Sequence, residues 1–253
     1  MKSILAFILL IALAAFIPVD NVHTRFKPSA GYTRVAVAPG SFGAYLQGLT
    51  LKPAGTHTKT YTGSIARTDP YTAAVVDMSI GVQDLQQCAD AVMRLRAEYL
   101  YKKKNYNAIT FNFTSGFKCD YTHYADGYRY INDRWALKGK KNYSYQNFLR
   151  YMNLVFSYAG TLSLQKELKP VANPNDIKAG DVFIKGGSPG HCFIVMDIAE
   201  NAAHKKQFLL AQSFMPAQNI QVLQNGSPWF SLGTAVATIP YGELVDAKYL
   251  RRF

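Results

Sequence analysis

The sequence contains only three cysteines and two tryptophans among its 253 residues, and acidic residues are also few. Three cysteines cannot build the disulfide network of a small secreted domain, and an odd number leaves at least one thiol free within a single chain. The 16 Asp and Glu residues are outnumbered by 28 Lys and Arg residues, which gives a net charge of +12. This charge favours anionic partners. Because no nucleic-acid-binding motif accompanies the basic runs, we interpret them as solvated surface.

Beyond the first 20 residues, the sequence lacks long apolar runs, and it contains no phosphate-binding glycine motif and no G-x-S-x-G motif. At the N-terminus, Lys2 precedes the apolar segment Ile4–Ile17. This segment is shorter than the roughly 20 residues that span a membrane. It fits the core of a signal peptide, with Ala12–Ala14 as a cleavage site. We therefore expect residues 1–19 to be a signal peptide, or alternatively an uncleaved anchor, and the protein to be exported, either periplasmic or membrane-tethered.

Residues 20–253 predict a single α+β domain. Hydrophobic residues make up 49% of the chain, which is ordinary for a globular protein. Helical periodicity predicts helices from Asp84 to about Lys102 and over Tyr145–Tyr158. The C-terminal third predicts strands at 181–184, 192–198, 208–212 and 219–223. Helices followed by an antiparallel sheet indicate the α+β class. Residues 114–143, between these parts, are expected to form a long surface loop.

Cys88 is the candidate nucleophile. Asp84 as N-cap, with Gln87 three residues later, predicts a helix start that places Cys88 in the first turn. Unpaired backbone N–H groups at a helix start stabilise a thiolate, which is the reactive form of cysteine. The alternative is that Cys88 is only a small apolar residue on the buried side of the helix.

His191 is the candidate base, because it opens a strand directly after a turn rich in glycine and proline. A hydrogen-bonded structural histidine is the alternative. If strands 192–199 and 207–214 form a hairpin, residues 211–215 lie opposite His191. That range contains Gln212 and Ser213. We predict that the amide oxygen of Gln212 accepts a hydrogen bond from Nδ1–H of His191 and orients the ring.

Four further residues are candidates for substrate binding. Gln87 precedes the nucleophile and is a candidate donor to the oxyanion. Tyr128, Arg129 and Trp135 belong to the aromatic stretch 114–143 and are candidates for the floor of a groove; packing within that stretch is the alternative. No metal or cofactor is expected, because the adjacent residues His191 and Cys192 point to opposite faces of a strand.

Four short segments carry a resemblance to known proteins: Gln86–Ala89, Gly180–Val182, Gly190–His191 and Gln212. Together they resemble the NlpC-type and CHAP-type cell-wall peptidases and amidases of the papain-like superfamily. The resemblance implies a papain-like fold, in which a helix carrying Cys88 packs on a small antiparallel sheet, with insertions. It further implies a hydrolase of the cell envelope with peptidoglycan stem peptides as substrate. A non-catalytic envelope binding protein on the same scaffold is the alternative.

A second resemblance rests on the stretches 41–46, 84–98, 158–164, 180–197 and 209–218. Through them, the chain from about residue 25 to residue 253 resembles bacterial secreted proteins grouped as domain of unknown function 4846. This resemblance implies no activity.

Overall fold

The computed structural model describes residues 19–233, 236 and 238–253. The predicted signal peptide or anchor, residues 1–19, therefore lies outside the described residues except for Val19. Within the described ranges, no helix combines the length and the apolar character needed to cross a membrane.

The described residues form a mixed α+β structure with antiparallel sheets, which confirms the predicted class. The helices are α1 (Val22–Arg25), α2 (Phe42–Gln47), α3 (Cys88–Lys102), α4 (Tyr121–Ala125), α5 (Tyr145–Tyr158) and α6 (Thr161–Glu167). Short 3-10 helices occur at Asp69–Tyr71, Tyr106–Ala108, Pro174–Asp176, Gly242–Leu244 and Ala247–Tyr249. The bounds of α5 agree with those expected from its periodicity.

Strands in the first half of the chain are β1 (Tyr32–Arg34), β2 (Thr72–Val75), β3 (Thr110–Asn112), β4 (Lys118–Asp120), β5 (Tyr128–Ile131) and β6 (Arg134–Leu137). Those in the second half are β7 (Lys169–Pro170), β8 (Val182–Lys185), β9 (His191–Asn201), β10 (Lys206–Gln212), β11 (Gln221–Leu223), β12 (Trp229–Phe230) and β13 (Leu250–Arg252).

One antiparallel sheet organises the fold, with strand order β2-β11-β10-β9-β8-β13-β7. Strand β1 also pairs with β9, and β12 with β10. The longest strand, β9, lies in the middle and forms the predicted hairpin with β10. Because β9 alternates its side chains between two faces, one buried cluster forms around Cys192, Ile194 and Met196, and another around Phe193 and Val195.

The cluster around Cys192 lies between the sheet and the long helices α3 and α5. It includes Val92 and Leu95 from α3, with Phe148 and Met152 from α5. The apolar side of each helix is thereby removed from water, which is the main source of stability for helices of this length. This packing fixes the start of α3 near the start of β9.

Two sequence-based expectations about these elements were wrong. Helix α3 begins at Cys88 rather than near Asp84, because Gln87 is its N-cap and the preceding residues form tight turns. Residues 114–143 are not a structureless loop. They contain β4, α4 and the β5–β6 hairpin, which are stabilised by aromatic packing and by local hydrogen bonds.

Candidate active site

The start of α3 determines the position of Cys88. Asp90 lies three residues after the N-cap, and its Oδ2 accepts a hydrogen bond from the backbone N–H of Gln87 at 3.0 Å. This interaction stops the chain from adding another helical turn before Cys88. Cys88 is therefore the first residue of the helix, where backbone N–H groups have no intrahelical acceptor.

The turn between β8 and β9 determines the position of His191. Gly190 lies so close to Gly187 O and to Thr161 Oγ1 that a Cβ atom at this position would overlap both. Thr161 also donates a hydrogen bond to Gly187 O at 3.2 Å, which joins the turn to the start of α6. The glycine before His191 is thus required by the close approach of two backbone segments.

His191 and Gln212 are in direct contact, as the hairpin predicted, and both side chains are buried. The contact joins Nε2 of His191 to Oε1 of Gln212 at 2.7 Å. The prediction that Nδ1 of His191 makes this hydrogen bond was wrong. Because an amide oxygen only accepts, Nε2 carries the hydrogen, and Nδ1 is left to interact with another group. Ser213, the neighbouring candidate, instead donates to Gln86 O and Gln218 O at 3.0 and 2.8 Å.

Three aromatic rings surround the imidazole of His191. Tyr241 stacks on it with ring centroids 4.8 Å apart and an interplanar angle of 21°. Phe193 makes an edge contact at 4.8 Å, and Phe214 lies at 5.2 Å. These rings exclude water from the Nε2–Oε1 hydrogen bond and leave the ring little rotational freedom.

Cys192 and His191 are the two side chains that favour the ionised form of the Cys88 thiol. A hydrogen bond from the Cys192 thiol, assisted by His191 and by the backbone N–H of Ala89, holds the pKa of Cys88 well below its ordinary value despite burial. The sequence predicts the helix start as the main cause of a lowered pKa. The largest effect on the pKa of Cys88 comes instead from the neighbouring Cys192 thiol, and the backbone N–H of Ala89 contributes less.

The other two cysteines are in the opposite situation. The hydrogen bond to Cys88, together with burial, raises the pKa of Cys192 well above its ordinary value. Burial raises the pKa of Cys119 in β4. None of the three forms a disulfide. Cys88 is thus the cysteine whose surroundings favour the thiolate.

A pocket of about 270 Å³ opens beside Cys88. Its walls come from the start of α3, the end of α5 with the start of α6, and the turn that precedes His191. The lining residues include Asp84, Gln87, Cys88, Asp90, Phe156, Thr161, Ser188, Gly190 and Met215. A substrate in this pocket would contact the thiol without unfolding any element.

The candidate substrate-binding residues fall into two places. Gln87 lines the pocket, and its side-chain Nε2 donates to Asp84 Oδ1 at 3.1 Å. Tyr128, Arg129 and Trp135 lie on the β5–β6 hairpin and do not line this pocket.

The hairpin residues are engaged in local packing. Arg129 donates to Tyr124 O and lies over the Tyr124 ring at 4.2 Å. Trp135 stacks on His123 with ring centroids 5.6 Å apart. The structure thus brings Gln87 to the nucleophile but not the other three candidates, whose role in binding stays a prediction.

Three residues of the site were not identified from the sequence as participants: Cys192, Asp90 and Tyr241. A signal for Asp90 was present, since an acidic residue three positions after Gln87 is a capping pattern. Nothing in the sequence places Tyr241 on His191, because the two belong to distant segments. Within the described ranges, no cluster of three His, Cys, Asp or Glu side chains is placed to hold a metal ion.

Residues 22–246 match the family model described as "Domain of unknown function (4846)", and the chain belongs to this family. The resemblance to the family is confirmed. No curated protein and no solved structure matches the chain.

Proposed function

We propose that this member of the domain of unknown function 4846 family is a cysteine hydrolase of the bacterial cell envelope, with a papain-like arrangement of its α+β domain. Cys88 is the nucleophile, His191 the base and Gln212 the group that orients the base. The observation that carries the proposal is the buried hydrogen bond between His191 and Gln212, together with a pocket-lining Cys88 thiol whose lowered pKa depends in part on His191.

The geometry supports a stepwise acyl transfer. Nδ1 of His191 takes the thiol proton, and Sγ of Cys88 bonds to the carbonyl carbon of the substrate. Backbone N–H groups at the start of α3 stabilise the oxyanion, with Gln87 as a further candidate donor. The C–N bond then breaks, and the amine leaves with the proton from the His191 imidazolium. Water, deprotonated by His191, attacks the thioester and releases the acid and Cys88.

Peptidoglycan stem peptides are the substrate class that we propose, and export to the periplasm or to the membrane surface is the location. Two features of the sequence support this: the N-terminal apolar segment and the resemblance of its Cys88 and His191 segments to cell-wall peptidases. The net charge of +12 would hold such a protein near an anionic envelope polymer.

The test measures thiol reactivity and hydrolysis separately, on the full-length protein. Iodoacetamide should label Cys88 first, and labelling should continue at about pH 6, where an ordinary thiol near pKa 8.5 is mostly protonated. Peptidoglycan fragments should be cleaved by the parent protein. We expect Cys88→Ala and His191→Ala to abolish cleavage, while Cys119→Ala, which removes a buried thiol away from the pocket, retains it.

Two results would oppose the proposal. Faster labelling of Cys119 or Cys192 in folded protein would remove Cys88 as nucleophile. Labelling of Cys88 without cleavage of peptidoglycan or any amide fragment, together with binding of those fragments, would favour the envelope binding protein.

A further inference from the structure

The pocket beside Cys88 is acidic, although the protein as a whole carries a net charge of +12. Asp84 and Asp90 are the charged side chains of its lining, and no Lys, Arg or His contributes to the lining. A pocket of this composition attracts cations, whereas the net charge of the whole protein favours anions. The contrast indicates that the pocket discriminates by charge among the groups that reach the nucleophile.

Each carboxylate in the pocket has one oxygen engaged by the protein. Asp90 Oδ2 accepts from Gln87 N, and Asp84 Oδ1 accepts from Ala217 N at 2.6 Å and from Gln87 Nε2. The second oxygen of Asp90, Oδ1, is buried and has no hydrogen-bond partner. Neither residue forms an ion pair with any residue that the structure describes.

An unpartnered carboxylate oxygen that is more than nine-tenths buried is unfavourable unless a ligand completes its hydrogen bonding. Asp90 is 7% exposed. Burial raises the pKa of Asp90 well above its ordinary value, and the neighbouring Cys88 contributes to the rise. A positive group placed at Oδ1 would lower the pKa of Asp90, because it favours the carboxylate. It would also supply the missing hydrogen-bond donor.

We propose that Asp90, assisted by Asp84, binds a positively charged amino group of the substrate, so that the preferred substrates are amides with a free amine close to the scissile carbonyl. An ammonium group has three donors and no acceptor, and it can bond to Asp90 Oδ1 while it faces Asp84. A substrate with a carboxylate in the same position is repelled. This specificity rests on the proposed hydrolase function, since it assigns the substrate of the same site.

The first experiment compares thiol reagents of similar size and opposite charge. Cys88 is modified with a trimethylammonium-ethyl and a sulfonato-ethyl methanethiosulfonate, and each rate is divided by that of the urea-unfolded protein. The cationic reagent should be favoured on the order of tenfold in the folded protein. Asp90→Asn should reduce this preference severalfold while keeping an acceptor for Gln87 N, and Asp84→Asn should reduce it less.

Asp77→Asn is the matched control. Asp77 is exposed and does not line the pocket beside Cys88, so its substitution changes the net charge equally without touching the site. It should leave the preference unchanged. The proposal is overturned if the parent protein shows no preference for the cationic reagent. It is also overturned if Asp77→Asn reduces this preference as much as Asp90→Asn does. Either result stands even if Cys88 remains highly reactive.

The second experiment does not depend on the thiol. The protein with Cys88→Ser is titrated with alaninamide, whose ammonium group is next to the amide carbonyl, and separately with the uncharged propanamide, while the carboxyl carbon signal of Asp90 is followed by NMR. The cationic amide should shift this signal at lower concentration than the neutral one. Equal responses, or none, overturn the amine specificity. Loss of Cys88 reactivity towards every reagent would instead count against the hydrolase function, and this titration would still decide the specificity.

Discussion

Two buried thiols and one imidazole determine the charge state of the candidate site. The pKa values of Cys88 and Cys192 move in opposite directions, because the Cys192 thiol must stay protonated to donate a hydrogen bond to the Cys88 thiolate. His191 adds to the same stabilisation, while its Nε2 is bonded to Gln212. One cysteine is thus made acidic at the expense of its neighbour.

Gln212 allows a prediction about a single residue. Gln212→Ala should lower kcat/KM on a cleaved peptide about 10- to 100-fold, because the ring of His191 loses its orienting acceptor. Gln212→Glu and Gln212→Asn should retain more activity than the alanine variant, since each keeps an acceptor oxygen. Steady-state kinetics, with circular dichroism to verify folding, provide the measurement.

His191→Ala is the reference for this series and should lose more activity than Gln212→Ala, because the base itself moves the proton. Unchanged kinetics in Gln212→Ala would show that the surrounding rings of Phe193, Phe214 and Tyr241 are sufficient to hold the imidazole. Equal losses in all three Gln212 variants, with unfolding, would make Gln212 a structural residue of the sheet.

Helix α6 is attached to strand β3 through a carboxylate. Glu167 Oε1 accepts a hydrogen bond from the backbone N–H of Asn112 at 2.6 Å. Burial nevertheless raises the pKa of Glu167 to about 7. Because the folded state then binds this proton more tightly than the unfolded state, the contribution to stability is present below about pH 4.5 and is lost as the pH rises to about 7.

Glu167→Gln should therefore stabilise the protein at pH 8 by about 1–2 kcal/mol, after allowance for the partial exposure of the group, and change little at pH 4. The glutamine oxygen still accepts from Asn112 N. Urea unfolding at both pH values measures the difference. Glu243→Gln, at an exposed position, is the control. A variant that is less stable than the parent at pH 8 would contradict the prediction.

A buried ion pair attaches the beginning of the described chain to the central strand of the sheet. Arg34 Nε donates to Asp197 Oδ2 at 2.6 Å, and Gln47 Nε2 donates to Asp197 Oδ1 at 2.6 Å. The side chain of Asp197 has no exposed surface. Loss of the arginine would leave a buried charge without its counter-ion, which is more costly than loss of the pair.

Arg34→Ala should lower the free energy of unfolding by about 3 kcal/mol at pH 7. Asp197→Asn added to Arg34→Ala should recover part of the loss, because the buried charge is then removed. Arg67→Ala, at an exposed position, should change stability by less than about 0.5 kcal/mol. Urea unfolding of the parent and these three variants measures the differences, and a double variant less stable than Arg34→Ala would show that the ion pair is not the cause.

The sequence alone determined the elements whose signals are local. The periodicity of Tyr145–Tyr158 defined α5, because an amphipathic helix encodes its own buried face. The hairpin of β9 and β10 followed from two apolar runs and a short polar turn, and its approximate register placed Gln212 within the range of residues expected opposite His191. Family membership also followed from segments that are contiguous in sequence.

Only the tertiary structure decided the features that depend on contacts between distant segments. The effect of the Cys192 thiol on the pKa of Cys88 requires α3 to pack against β9, and neither segment encodes this packing. The start of α3 at Cys88, the stacking of Tyr241 on His191 and the unpartnered oxygen of Asp90 depend on packing in the same way. Burial and electrostatic stabilisation are properties of the surroundings of a side chain, and those surroundings come into existence only when the sheet and its helices have packed.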